Sequence, residues 1–135
     1  MCPAPVIVYG GAGTSNFCVR ETISTMTSMG WGERIMVCTE PRTLIDALRQ
    51  EDAGILVMPG GRDKPYQEDL VGEGVEAIKE FVSGGGHYLG ICAGAYFASD
   101  RVVFEKGTEM EVDEERDLKF FPGTAYGTIF KELFK

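Results

Sequence analysis

The chain has 135 residues, of which 44% are hydrophobic and 25% charged, as is typical of one globular domain. Its 13 basic and 21 acidic residues give a net charge of -8, which disfavours nucleic-acid and anionic-membrane partners because both would be repelled. No apolar run approaches the ~20 residues of a bilayer span, and the first residues lack the features of a signal peptide. We therefore expect a cytoplasmic single domain over residues 1–135.

The four cysteines, Cys2, Cys18, Cys38 and Cys92, lie far apart and form no C-x-x-C pair. With His87 as the single histidine, the sequence has too few soft ligands for an ordinary zinc site. We predict free thiols, no metal and no other cofactor.

Short β-branched apolar runs alternate with segments of helical periodicity, a pattern typical of α/β proteins. The predicted strands are 5–9, 34–38, 55–58 and 87–91. The predicted helices are 16–29, 43–50, 73–83 and 95–98. Right-handed crossovers then give a flavodoxin-like open parallel sheet in the order 2-1-3-4, with helices on both faces.

A different pattern follows residue 100. Two short segments, 101–105 and 108–112, flank Lys106 and Gly107, which predicts a C-terminal β-hairpin added to the parallel sheet. The acidic stretch 109–115 is interpreted as a solvated surface.

Functional groups of an open parallel sheet gather beyond the carboxyl ends of its strands. The segment Gly90-Ile-Cys92-Ala-Gly94 has the G-x-nucleophile-x-G form, in which a strand turns sharply into a helix and exposes the central side chain. We predict Cys92 as the nucleophile, with its thiolate favoured by the helix N-terminus. The alternative is a structural cysteine buried at a tight helix–strand contact.

Two glycines, Gly60 and Gly61, follow the third predicted strand. Their backbone N–H groups, with that of Ala93, are candidates for an oxyanion hole. The alternative is a turn that only requires positive φ.

The loop after the first strand begins like a dinucleotide-binding loop, but Asn16 occupies the position of the third glycine. Glu40 lies only near the end of the second strand, so the nucleotide-binding signature is incomplete. Less specific candidates for ligand binding are Gly11, Gly13, Thr14 and Ser15.

A cysteine nucleophile usually needs a general base, most often histidine. His87 precedes Cys92 by five residues on the same predicted strand, which places it roughly 16 Å away. His87 is therefore not expected to activate Cys92. Sequence alone leaves open whether a carboxylate such as Asp63 or Glu111 approaches the thiol.

Five segments together resemble one family. They are VYGGAGTS (8–15), VMPGGRDKPY (57–66), GICAGAYF (90–97), VFEKG (103–107) and RDLKFFPGT (116–124). In this order they resemble the amidotransferase-like domain at the N-terminus of eukaryotic-type biotin protein ligases, within the class I glutamine amidotransferase superfamily. The resemblance implies that Cys92 occupies the nucleophile position and that Gly60, Gly61 and Ala93 occupy the oxyanion position.

Two departures from that family limit what the resemblance implies. The sequence lacks the Gly-Arg-Gly-Arg-type loop of the ligase catalytic domain, so we expect no biotinylation by this chain. In the family, the domain continues beyond the segment that resembles 116–124 into strands where amidotransferases carry the His and Glu of the triad, so we expect the present domain to be C-terminally short. Its last stretch has apolar residues at helical spacing and is predicted to pack on the sheet or form a homo-oligomer; these residues are Ile129, Phe130, Leu133 and Phe134.

Three functional hypotheses follow. The first is an accessory or vestigial domain that binds a small carboxamide, an anionic ligand or a partner chain without turnover. The second is a Cys92-dependent amidase or amidotransferase that acts through a thioester. The third is a thiol redox sensor, because an exposed thiolate without a triad is prone to oxidation.

Overall fold

Two β-sheets organise the chain in the computed structural model, which describes residues 3–51 and 54–130. The first sheet is entirely parallel in the order β2-β1-β3-β4, with strands Val6–Tyr9 (β1), Ile35–Cys38 (β2), Ile55–Met58 (β3) and His87–Gly90 (β4). The second sheet has the order β6-β5-β7, with strands Ser99–Phe104 (β5), Val112–Glu115 (β6) and Phe121–Gly127 (β7). The predicted flavodoxin-like order 2-1-3-4 is confirmed.

Helices connect the strands on both faces of the parallel sheet. Those described are Asn16–Met26 (α1), Pro41–Gln50 (α2), Asp63–Leu70 (α3), Glu73–Ser83 (α4) and Ala93–Phe97 (α5). α1 begins where predicted because the Ser15 side chain accepts a hydrogen bond from the N–H of Cys18 at 3.3 Å, an N-cap. It ends earlier than the predicted Met29: a π-helical turn covers Thr27–Trp31, where Gly30 adopts φ 88°.

The core is divided between the two faces of the parallel sheet. α1 packs against one face, where Val6, Val8 and Val57 are fully buried. α2, α3 and α4 cover the other face, which contains Ile7 and Leu56. Alternate residues of a strand point to opposite faces, so strands buried on both sides explain the continuous apolar runs in the sequence.

α3 lies outside every helix predicted from the sequence. Pro65 is its third residue, in the first turn, where proline removes no helical hydrogen bond. Tyr66 and Leu70 are one turn apart and fully buried, which gives this charged helix a core face.

The hairpin after residue 100 is present, but its second strand is not 108–112. β6 pairs antiparallel with β5 from Val112 onward. Side chains of the connecting loop form hydrogen bonds to the backbone of the same loop. Thr108 Oγ1 donates to the carbonyl of Glu105 at 2.7 Å, and Glu111 Oε1 accepts from the N–H of Gly107 at 2.9 Å. Such side-chain bonds compete with strand pairing.

β7 was not predicted and pairs parallel with β5. It contains Pro122 and Gly123, residues that normally argue against a strand. The register shifts between Ser99 and Arg101 of β5. This irregularity accommodates the Pro-Gly step at the start of β7.

A buried arginine joins the second sheet to α3. Arg116 is fully buried, and its Nε donates to Asp63 Oδ2 at 2.7 Å. Its Nη1 donates to Glu114 Oε2 at 3.0 Å. Burial alone would lower the pKa of Arg116, but the hydrogen bonds to Asp63 and Glu114 raise it on balance. The guanidinium therefore stays charged and holds the first turn of α3 in place.

Part of the predicted C-terminal apolar segment can be placed. Ile129 and Phe130 are exposed, whereas Leu133 and Phe134 lie outside the described residues. That this segment packs on the sheet or forms a homo-oligomer remains a prediction. Among the described helices, none combines the length and apolar character needed to cross a bilayer.

Candidate functional site

The chain turns sharply at Cys92, directly after β4. Cys92 has φ 51° and ψ −108°, a backbone conformation that non-glycine residues rarely adopt. Its side chain is exposed, and its carbonyl accepts from the N–H of Ala95 at 2.9 Å and of Tyr96 at 3.0 Å. The structure therefore presents the Cys92 thiol at the carboxyl end of the parallel sheet and excludes the buried structural alternative.

Close backbone packing requires glycine on both sides of Cys92. A Cβ on Gly94 would collide with the carbonyl oxygen of Met58 in β3, and one on Gly90 would lie 2.6 Å from the carbonyl oxygen of Gly94. Tyr88 Oη donates to that same Gly94 carbonyl at 2.6 Å. These contacts hold the strained turn against the sheet.

The Pro59–Gly61 loop lies beside the Cys92 turn. A Cβ on Gly60 would lie 3.7 Å from Cys92 Cβ, so the two backbones are in close approach. Tyr66 Oη donates to the carbonyl of Pro59 at 2.8 Å, and the carbonyl of Gly60 accepts from the N–H of Ser15 at 3.0 Å. Because peptide C=O and N–H groups point in opposite directions, the N–H groups of Gly60 and Gly61 point away from these two partners.

Cys18 also borders this loop, which the sequence did not reveal. The same Cβ on Gly60 would lie 2.8 Å from Cys18 Sγ. Cys18 is half-buried in the first turn of α1. Gly60 is thus in contact with two cysteine side chains.

The 10–15 loop packs on the Pro59–Gly61 loop through its backbone. The carbonyl of Gly13 accepts from the N–H of Arg62 at 2.8 Å. Gly61 adopts φ 148°, and a Cβ there would strike the Gly13 carbonyl, so this position requires glycine. Thr14 Oγ1 donates to the Gly11 carbonyl at 2.7 Å. The predicted ligand-binding residues of this loop therefore use several of their polar atoms to shape the site.

The residues considered as bases have other positions or other partners. His87 pairs with Ile55 at the amino end of β4, whereas Cys92 follows the carboxyl end. Asp63 is bound to Arg116, and Glu111 accepts from Gly107 in the exposed loop of the second sheet. Neither carboxylate is engaged with Cys92. Across 3–51 and 54–130, no group of three or more His, Cys, Asp or Glu side chains could hold a metal ion.

Two tyrosines, Tyr66 and Tyr96, lie near the thiol. Burial, reinforced by the neighbouring Cys92 and Asp63, raises the pKa of Tyr66 and of Tyr96. Burial also raises the pKa of Tyr9 to about 12. Phenols with raised pKa values stay protonated at neutral pH and cannot act as bases there.

A cavity of about 470 Å³ opens next to Cys92. α5 forms one wall, with Ala95 and Tyr96, and β7 forms the other, with Phe121 and Tyr126. This volume is within the range of small-molecule pockets, about 300–1,000 Å³. The thiol is therefore positioned at the edge of a space that can hold a ligand.

A family model described as biotin-protein ligase, N terminal, matches residues 4–134. The chain belongs to the biotin-protein ligase N-terminal family. It is 37% identical over 131 residues to an uncharacterized protein of Chlamydia muridarum, which covers 96% of this chain and 51% of that protein. It is also 36% identical over 126 residues to a biotin–protein ligase of Schizosaccharomyces pombe, covering 93% of this chain and 20% of the ligase.

Membership of the biotin-protein ligase N-terminal family confirms the resemblance drawn from the five motifs. The structure also brings these motifs together, because VMPGGRDKPY contains Asp63 and RDLKFFPGT contains Arg116. Their side chains form the buried pair at 2.7 Å. The chain spans about half the length of one curated relative and a fifth of the other.

Sequence reasoning missed three residues of this biotin-protein ligase N-terminal domain, which are Cys18, Arg116 and Tyr66, and it left the partner of Asp63 open. Cys18 falls in a helix with no motif of its own, and Arg116 and Asp63 are separated by 53 positions. Tyr66 carried a usable signal, since its one-turn spacing to Leu70 predicts a buried helix face.

Proposed function

We propose that this chain is an accessory domain of the biotin-protein ligase N-terminal type that binds a small carbonyl compound at Cys92 without catalytic turnover. A carboxamide, one of the two ligand classes predicted from the sequence, is such a compound. The N–H groups of Gly60, Gly61 and Ala93 would bind the carbonyl oxygen. We propose no biotinylation activity for this chain.

The observation that carries the proposal is the separation of Cys92 from His87 along β4. Cys92 follows the strand's carboxyl end and is exposed, while His87 starts the strand at its amino end. A positioned general base contributes about 10²–10⁴-fold to a hydrolytic rate. Without one, ligand can be bound or can acylate the thiol, but release of an amine and hydrolysis of the thioester are slow.

Acylation with 4-nitrophenyl acetate tests this function. We expect one equivalent of 4-nitrophenolate and one acetyl group on Cys92, followed by release no faster than in buffer. Cys92→Ala should abolish the burst, and the matched variant Cys18→Ala should keep it. No modification of Cys92 above the rate of a free thiol would contradict ligand capture at this site, and repeated turnover would contradict the accessory role.

A Cys92-dependent amidase is the second candidate. It is favoured by the strained φ of Cys92 and the contact of Gly94 with Met58, since enzymes maintain such strain at nucleophiles. It requires a base, supplied by a carboxylate or by a second subunit. Multiple turnovers with a carboxamide, lost in Cys92→Ala, would establish it.

A thiol redox sensor is the third candidate. It is favoured by the exposure of Cys92 and by the approach of Cys18 to the same Gly60. Exposed thiolates are oxidised by peroxide to sulfenic acid, which a second thiol can reduce by forming a disulfide. A one-oxygen gain on Cys92, or a Cys18–Cys92 disulfide reversed by dithiothreitol, would support this function.

A further inference from the structure

We infer that the cavity beside Cys92 takes the uncharged, apolar tail of the ligand, so that the site selects aliphatic or aromatic acyl groups over amino-acid carboxamides such as glutamine. This inference rests on the proposed function and names the substrate class of the same site. It is carried by the chemistry of the cavity walls.

Both walls of the cavity are formed mainly by apolar and aromatic side chains. Ala95, Ala98 and Tyr96 line the α5 side, and Phe121 and Tyr126 line the β7 side. Of the described residues, none with a charged side chain lines the cavity. The hydroxyl of Ser99 already donates to the carbonyl of Ala95 at 3.1 Å.

Glutamine does not fit such walls. Its α-ammonium and α-carboxylate would both need partners, because a charge moved out of water without one is strongly destabilised. An alkyl or aryl chain gains free energy in the same place by leaving water. The exposed thiol at the mouth then meets the carbonyl group, and the tail lies between α5 and β7.

The aromatic side chains of the β7 wall are exposed to solvent. Because β7 was not predicted from the sequence, the nucleophile motif alone did not reveal this wall. Phe121 and Tyr126 are 57% and 68% exposed, unusually open for large aromatic side chains. Both border the cavity rather than the core. A bound tail would cover them.

A series of 4-nitrophenyl esters tests the inference in the full chain. Cys92 Sγ attacks the ester carbonyl carbon, an S–C bond forms, the C–O bond breaks, 4-nitrophenolate leaves with the electron pair, and the thiol proton passes to solvent. Single-turnover rates for acetate, butyrate and hexanoate are divided by the rates of the same esters with glutathione. We expect about twofold per methylene for partial burial, hence a gain of about 16-fold over the four methylenes from acetate to hexanoate.

Variants of the β7 wall locate the effect. Ala125→Phe fills the cavity and Tyr126→Ala removes one wall, and both should reduce the hexanoate preference to about twofold or less while acetate changes little. Met110→Ala, at a position 58% exposed and remote from the cavity lining, should keep the full preference. Circular dichroism confirms folding, and Tyr126→Ala decides the question if Ala125→Phe does not fold.

The outcomes separate this inference from the proposed function. Equal normalised rates for all esters, or a hexanoate preference unchanged in both wall variants, would overturn the apolar tail site and leave capture at Cys92 standing. Failure of every ester to modify Cys92 would overturn both. A faster reaction with an ester carrying a terminal carboxylate than with hexanoate would also overturn the inference.

Discussion

The two ends of β4 carry the two residue types that cysteine hydrolases combine, and the structure keeps them apart. At the carboxyl end, Cys92 is fixed by the contact of Gly94 with Met58 and by the hydrogen bond from Tyr88 to Gly94. At the amino end, the side chain of His87 is exposed. Its backbone N–H donates to the carbonyl of Gly54 at 2.8 Å. One strand of a parallel sheet can therefore position a cysteine nucleophile at its carboxyl end without also positioning a histidine as its general base.

The largest expected effect on stability comes from breaking the Arg116–Asp63 ion pair, which holds α3 near the carboxyl end of the parallel sheet. Arg116→Met leaves Asp63 as a buried, unpaired carboxylate, so we expect a loss of about 3–5 kcal/mol in unfolding free energy. Urea denaturation measures it. Arg101→Met is the control, because the side chains of the Arg101–Asp113 pair are 43% and 34% exposed and such a pair should contribute at most about 1 kcal/mol. Equal losses in the two variants would show that the buried pair does not hold α3.

Glycine substitutions compare the two ends directly. In Gly94→Ala the new methyl group meets the Met58 carbonyl, and we expect a loss of about 2–4 kcal/mol. Gly85→Ala lies before β4 at φ 108° with nothing within 4 Å, so only backbone strain of about 1–2 kcal/mol opposes it. Thermal melting checks the difference. A greater loss in Gly85→Ala would contradict the tight packing around Cys92.

Thiol labelling compares the reactivity of Cys92 with that of Cys38, the last residue of β2. Cys38 is 5% exposed, and burial raises the pKa of its thiol. We expect Cys92 to react with iodoacetamide at neutral pH at least about 100-fold faster, because the thiolate is the reactive form and must be accessible. Peptide mass spectrometry of the native protein gives both rates. Comparable rates would mean that Cys92 is not presented to solvent.

The smallest expected effect is that of His87. Because His87 lies at the opposite end of β4, His87→Ala should change the acylation rate of Cys92 by less than about twofold. The 4-nitrophenolate burst provides the measurement. A loss of about 10²-fold or more, the contribution of a general base, would show that His87 reaches the thiol after all.

Much of the parallel sheet could be predicted because its signals are local. Apolar runs such as Ile55–Met58 and the glycine spacing around Cys92 depend on neighbouring residues, and the sheet order follows from crossover handedness. β7 was missed because Pro122 and Gly123 oppose strand propensity locally, while pairing with β5 overrides them.

The rest of the site depends on contacts between distant residues. The Arg116–Asp63 pair spans 53 positions, and the approach of Cys18 to Gly60 joins α1 to the loop after β3. Neither has a periodic pattern. Family motifs marked the segments of Asp63 and Arg116 as related, but only the fold shows that their side chains meet.

Ammonia release from glutamine, measured for the wild-type chain and for Cys92→Ala, tests the central claim most directly. Because His87 lies at the opposite end of β4 and Asp63 and Glu111 are engaged with other groups, we expect no matched acid to protonate the leaving amine and both proteins to release ammonia at the same background rate. Clear turnover by the wild type that is lost in Cys92→Ala would contradict this account and show that the domain is a working amidohydrolase.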